Sequence, residues 1–296
     1  MLCPVSLTPT LSRGKREQAW SCPPPMNYRH AYHAGNFADC MKHALLAWML
    51  ASLARKPAPF FVLDTHAGRG QYDLLADPAE RTGEWRDGIA RVLGDPPPPL
   101  APYAALVERL GLYPGSPRLI RALLRPDDRL ACCELHPEDH ASLARLFRGD
   151  RQVAVHLRDG WASLRALLPP AQKRGLVLLD PPYEAPGEFE RVLAGLQTAS
   201  TRFGTAVLVA WYPIKHRSPV TTFLEGVRLS GLRDYVTAEL WLREPTDPTR
   251  LNGCGLLVRN PPWGFEAAAS DMLAALLSRL ETGAGAGSAV ERVTDE

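Results

Sequence analysis

With 296 residues, 46% of them hydrophobic, the chain can bury one sizeable core with room for a subdomain. Its net charge of +2 is too mild to identify a nucleic-acid partner by itself. No run of about 18 apolar residues occurs, so neither a membrane span nor a membrane partner is expected.

The 34 basic residues divide into 29 Arg and 5 Lys, a bias that GC-rich codons explain and that would also suit phosphate contacts. The six cysteines, at 3, 22, 40, 132, 133 and 254, form no CxxC pair. That is neither a zinc pattern nor a small disulfide framework, and it reads as a reduced, cytoplasmic protein.

Residues 1–25 are proline-rich and pattern-free, a poor signal peptide, and are read as a disordered extension before Met26. From Met26 to about residue 281 the chain is read as one domain. Strands are predicted at 60–64, 130–135, 153–157, 176–180, 206–212, 236–242 and 255–259. Several are continuous apolar runs, as expected of strands covered on both faces. Helices are predicted at about 38–55, 137–148, 160–168, 187–203, 217–231 and 265–281. The alternation predicts an α/β, Rossmann-like doubly wound sheet, with ligands at the carboxyl ends of the strands. One stretch, about 71–129, shows no convincing strand and is read as a small, mostly helical insertion after the first strand. Residues 282–296, small and polar, are read as a flexible tail.

The first strand runs into FFVLDTHAGRGQY, which sets Asp64, Gly68 and Gly70 as D-x-x-x-G-x-G. Glycines there allow a tight turn and let backbone amides approach a ligand. An ordinary strand-to-helix turn also accounts for them. The dinucleotide pattern G-x-G-x-x-G is absent, which favours a nucleoside without a pyrophosphate. His66 lies inside this loop and faces the ligand crevice. Glu134 ends the second strand, where an acid can hold ribose hydroxyls. It follows Gly70 by 64 residues, against roughly 20 in dinucleotide enzymes, and the insertion fills the gap. Asp159 and Gly160 follow the third strand. Asp159 could accept from an adenine amine, and it serves equally as a helix N-cap.

Two stretches end alike: GLVLLDPPYE (175–184) and GLLVRNPPWG (255–264). In a sheet ordered 3-2-1-4-5, Asp180 stands beside the glycine loop. Asn260 ends what reads as the last strand, towards the far edge. Position therefore favours Asp180. An exocyclic adenine amine is a weak nucleophile because its lone pair is conjugated with the ring. The Asp180 carboxylate and the Pro181 carbonyl can bind both N–H groups and turn that lone pair towards a sulfonium methyl. Prolines fix where the carbonyl points. Tyr183 can stack on a base drawn out of its helix or loop. No metal is needed. A simple strand-ending turn is the plainer alternative for DPPY.

Together these stretches resemble the ribosomal large-subunit methyltransferase J family, 23S rRNA (adenine(2030)-N6)-methyltransferases. The resemblance spans Met26 to about Trp263. It is carried in order by MNYRHAYHAGNFADCMKH (26–43), LDTHAGRGQY (63–72), ERTGEW (80–85), YPGSP (113–117), CELHPED (133–139), RDGW (158–161), LLDPPYE (178–184), AWYP (210–213) and NPPW (260–263). It implies a class I fold, S-adenosylmethionine as methyl donor with S-adenosylhomocysteine as product, and a 23S rRNA adenine as substrate, naked or in an early assembly intermediate. No obligate protein partner is implied. Cofactor contacts are implied at His43, His66, Ser116, Glu134, Asp159, Gly160 and Asp180, beside the Gly68 turn. Asp180 matches the catalytic acid. Tyr28 matches an RNA-touching aromatic, and Lys42 is placed with it. NPPW is then a structural turn. Residues 1–25, the length of the insertion and the tail depart from the family.

Read from the residues alone, these positions are more ordinary. Ser116 looks like an N-cap before Pro117. His43, on an apolar helix, looks like a packed core histidine. Tyr28, Arg29, His30, Tyr32 and His33 interleave aromatics with basic groups, as single-stranded RNA would favour and as many surfaces show. Lys215, His216 and Arg217 are candidates for phosphate contact. A DNA adenine methyltransferase would use the same loop but usually needs a larger target-reading region. A protein glutamine methyltransferase would favour Asn before the prolines. A non-catalytic RNA-binding protein would not need Asp180 and Tyr183.

Overall fold

A computed structural model describes residues 30–76, 79–280 and 282–295. The first strand, β1 (Phe61–Asp64), is followed by the short β2 (Gln71–Tyr72) and β3 (Tyr113–Pro114). Then come β4 (Arg129–Glu134), β5 (Val153–Leu157), β6 (Gly175–Leu179), β7 (Val207–Ile214), β8 (Tyr235–Trp241), β9 (Gly253–Arg259) and β10 (Gly287–Thr294). The main sheet has eight strands in the order β10-β8-β9-β7-β6-β1-β4-β5. From β5 to β7 all neighbours are parallel. β9, β8 and β10 add antiparallel pairs. The parallel half has the expected 3-2-1-4-5 order, with β1 at its centre. This is an α/β, Rossmann-like doubly wound architecture.

The unbroken apolar runs reflect two covered faces. Val62, Leu176 and Leu178 enter one core, while Leu63, Val177 and Leu179 enter the other. Adjacent residues point to opposite faces of a strand, so a strand buried on both sides has no polar positions. The first core is closed by α1 (Phe37–Ala54), α5 (Ser116–Leu123), α6 (Pro137–Leu146) and α10 (Phe265–Arg279), through Met41, Leu45, Leu119, Leu143 and Leu273. The second is closed by α7 (Gly160–Leu167), α8 (Glu188–Arg202) and α9 (Arg217–Leu229), through Leu164, Leu196 and Val227. Asn36 caps α1 by accepting the Asp39 amide.

Three expectations change. The insertion holds α2 (Ala79–Thr82), α3 (Ile89–Val92), α4 (Ala101–Leu110) and α5, but it also contains an antiparallel pair, β2 with β3. Two-residue strands are too short to show a period. The tail is not a plain flexible end: β10 pairs with β8 from Gly287↔Trp241 to Thr294↔Tyr235. Its small, charged sequence hid it because an edge strand buries little. The strand ending in NPPW is neither last nor at an edge, since β9 lies between β7 and β8. Among the described residues, no helix is long and apolar enough to cross a membrane.

Candidate active site

The carboxyl ends of β1, β4, β5 and β6 converge, as the topology requires, and bring His66, Gly68, Glu134, Asp159, Gly160 and Asp180 to one edge. The loop after β1 is tied to β6 by Thr65, whose amide and hydroxyl both donate to the Leu178 carbonyl at 3.1 and 2.9 Å. Asp180 follows β6 immediately, so DPPY and the glycine loop are neighbours. Gly68 and Gly70 have φ of +59° and +81°, a region costly for residues with a Cβ.

Glu134 stabilises that loop from below. Its two oxygens accept the Gly68 amide at 2.8 Å and the His136 amide at 2.7 Å. Each oxygen keeps a second lone pair for a ligand. Burial raises its carboxyl above the ordinary range, against the pull of these amides. Asp159 caps α7, with Oδ1 accepting the Ala162 amide at 2.8 Å. Gly160 is required by contact: a Cβ there would lie 2.3 Å from the Thr65 carbonyl and 2.8 Å from the His66 ring. His66 bonds the Thr65 hydroxyl through Nδ1 at 2.8 Å and meets Trp161 edge-on. Surrounding protein lowers its pKa to about 4, so the ring is neutral.

Lys42 and His43 arrive from α1. The Lys42 ammonium is buried, 2.6 Å from Asp180 Oδ2 and 3.2 Å from Asp39 Oδ1. It is not a surface side chain awaiting phosphate, and any part it has in RNA contact lies within the site. Asp39 also bonds His30 at 2.9 Å and the Gly35 amide. Burial would raise the Asp39 carboxyl, but the neighbouring His30 ring and Lys42 ammonium hold it well below the usual range. Asp39 was missed in the sequence. The Asp39-x-x-Lys42 spacing, one face of a helix, was the available signal. His43 is buried, with Nδ1 3.1 Å from the Tyr113 hydroxyl.

Ser116 is not an N-cap. Gly115 holds that place, and the Ser116 hydroxyl donates to Asp64 Oδ2 at 2.7 Å. Asp64 is fully buried, and its Oδ1 has no hydrogen-bond partner. Pro181 is buried. Tyr183 adopts a φ of +54°, and its hydroxyl donates to the Trp211 carbonyl at 2.7 Å. Its ring packs edge-on against Phe189 and Trp211. Left-handed backbone is costly at a residue with a Cβ, and these contacts hold the tyrosine in it.

The rival motif is elsewhere. β9 runs antiparallel to β7 with Arg259 opposite Leu208, so Asn260 lies at the other end of the sheet from Asp180. Its amide nitrogen donates to the carbonyls of Gly204 and Ala206. Arg217, a candidate phosphate contact, instead bonds Glu239 and lies over the Trp241 ring. His216 caps α9. Tyr28 and Arg29 fall outside the described residues. Among the described residues, no group of three or more His, Cys, Asp or Glu side chains is placed to hold a metal ion.

The chain is similar to known proteins over most of its length. The family model described as "Ribosomal RNA large subunit methyltransferase D, RlmJ" matches residues 57–293. The ribosomal RNA large subunit methyltransferase J of Escherichia coli K12 is 39% identical over 263 residues, covering 86% of this chain and 94% of that protein. Its Haemophilus influenzae Rd counterpart is 35% identical over 280 residues, covering 92% of this chain and 100% of that protein. A crystal structure of a Legionella pneumophila protein superposes with a TM-score of 0.81 at 34% identity, covering 88% of this chain and 98% of that one. On the family match, at these identities and coverages, the chain belongs to the ribosomal RNA large subunit methyltransferase J family.

Proposed function

We propose that this chain transfers a methyl group from S-adenosylmethionine to the exocyclic N6 of an adenine in large-subunit (23S) rRNA. The observation that carries the reading is Asp180, at the β6 end beside the Gly68 loop and paired with Lys42. The residues suit a nucleoside with an amino-acid end. Glu134 has free lone pairs for ribose hydroxyls and Asp159 stands at the next strand end. Gly68 and Gly70 turn the loop through left-handed backbone, and Gly160 lets α7 start in close contact with that loop. Bound there, S-adenosylmethionine supplies an electrophilic methyl on a sulfonium.

The protein's part is alignment and electrostatics. The target adenine is flipped out of the RNA. Its N6–H groups donate to the Asp180 carboxylate and the Pro181 carbonyl, turning the nitrogen lone pair to the methyl. As the N–C bond forms, N6 gains positive charge, which the Asp180 carboxylate stabilises. Asp180 is also the acceptor placed to take the departing N6 proton. Lys42 holds that carboxylate in position from the far oxygen. Tyr183 offers its ring to the flipped base, and Tyr28 with Lys42 contributes RNA contact. The substrate is naked 23S rRNA or an early assembly intermediate, in the cytoplasm, with no protein partner required.

Transfer of labelled methyl to unmethylated large-subunit rRNA, duplex DNA and a protein extract tests this reading. Label in RNA alone, as N6-methyladenine, lost in Asp180→Ala and kept in Asn260→Ala, is the expected outcome. Label in DNA or protein would replace the substrate class. Loss in Asn260→Ala alone would move the active site.

A further inference from the structure

The insertion reaches the cofactor side of the site through a buried line of hydrogen bonds that the proposed chemistry does not use. His43 Nδ1 lies 3.1 Å from the Tyr113 hydroxyl, and that hydroxyl lies 3.2 Å from the Tyr103 hydroxyl. Tyr103 in turn hydrogen-bonds the Cys40 thiol. Cys40 Sγ donates to the Gly35 carbonyl at 3.8 Å. All four side chains are buried. Tyr103 and Tyr113 belong to α4 and β3 of the insertion. Cys40 and His43 belong to α1.

The direction of this line follows from its end. A backbone carbonyl can only accept. Cys40 therefore spends its one proton on Gly35 and accepts from Tyr103. Tyr103, having donated, accepts from Tyr113. Tyr113, having donated, accepts from His43, so Nδ1 must carry hydrogen. Burial lowers the His43 pKa to about 3, so the ring is neutral and has only one hydrogen to place.

We propose that Tyr113 and Tyr103 are positioning residues that hold His43 as its Nδ1–H tautomer, leaving the Nε2 lone pair to accept from the ammonium of an amino-acid ligand. The inference rests on the reading of His43 as a cofactor contact. It deepens that reading by assigning His43 to the α-ammonium of the methionine part, the donor such a lone pair selects. It also gives the insertion a task apart from RNA contact.

The test begins on the ligand-free protein. Nitrogen-15 histidine spectra separate the two tautomers by the shift of each ring nitrogen. The wild type is expected to show Nδ1–H at His43. In Tyr103→Phe, Tyr113 loses its acceptor and is free to turn and donate to Nδ1, so His43 is expected to switch to Nε2–H. An Nε2–H wild type, or an unchanged tautomer in Tyr103→Phe, overturns the proposal. Tyr113→Phe serves as the second variant, and matching melting curves establish that each variant folds.

Binding then tests recognition, with S-adenosylhomocysteine and its analogue lacking the α-amino group as probes. The wild type is expected to prefer the amino-bearing ligand by about tenfold, one hydrogen bond's worth. Both variants are expected to lose that preference. Equal weakening of the two ligands would mean the tyrosines act only structurally, and overturns the recognition half. A folded wild type that holds neither ligand overturns the methyl-donor reading and the ammonium assignment with it, while the tautomer measurement still decides the hydrogen-bond line.

Discussion

The Ser116 hydroxyl donates a 2.7 Å hydrogen bond to Asp64, 52 residues earlier, and so fastens the start of α5 to the end of β1. Burial raises the Asp64 carboxyl to about 7. The Ser116 bond opposes the rise, and the charge of Asp180 adds to it. Between about pH 4 and pH 7 the folded protein therefore keeps a proton that the unfolded chain has released. This contribution to stability is complete below about pH 4 and is lost as pH rises through about 7. Relative to Asp64→Asn, the wild type should lose up to about 1.4 kcal/mol per pH unit across that window. Urea unfolding of both proteins at several pH values measures it. A constant difference would show that Asp64 is ionised throughout. Ser116→Ala should move the upper limit of the window higher.

Gly160 is fixed by its neighbours. An added Cβ would lie 2.3 Å from the Thr65 carbonyl, a backbone atom that cannot swing away. Gly160→Ala should cost more than about 2 kcal/mol of stability and weaken cofactor binding. Gly149→Ala, where a Cβ meets nothing within 4 Å but φ is +81°, should cost only about 1 kcal/mol. Thermal melts of the pair provide the comparison. Equal losses would mean that crowding at Gly160 is not what matters.

Asn260 supports the far end of the sheet. It sits at a φ of +49° and donates to the Gly204 and Ala206 carbonyls at 3.0 and 2.8 Å. Asn260→Ala should lower stability by about 1–3 kcal/mol and leave kcat and KM for RNA unchanged. A specific loss of kcat at full folding would contradict the structural role.

The C-terminal strand is part of the fold. β10 covers the edge of β8, Thr237 donates to the Glu291 carbonyl, and Arg292 ties Asp234 to Glu266. Ending the chain at residue 282 should lower the melting temperature and expose the β8 edge to self-association. Light scattering and melting curves check both effects. An unchanged melt and a monomer would show that the strand is dispensable.

Much of this arrangement was legible along the chain because it depends on neighbours in sequence. Doubly covered strands need continuous apolar runs, which located β1, β4, β6 and β7. Tight turns need glycine, which located Gly68 and Gly70. A carboxylate and two prolines after a buried strand located Asp180. These are local rules, and local order follows from local chemistry. Tertiary closure decided the rest. It reversed β9 and so separated NPPW from DPPY, and it supplied β8 as the partner that makes β10 a strand. It also brought Lys42 to Asp180 across 138 residues, Ser116 to Asp64, and Tyr113 to His43. Each pair joins polar groups removed from water, whose bonds are worth making only once the packed core has placed them side by side.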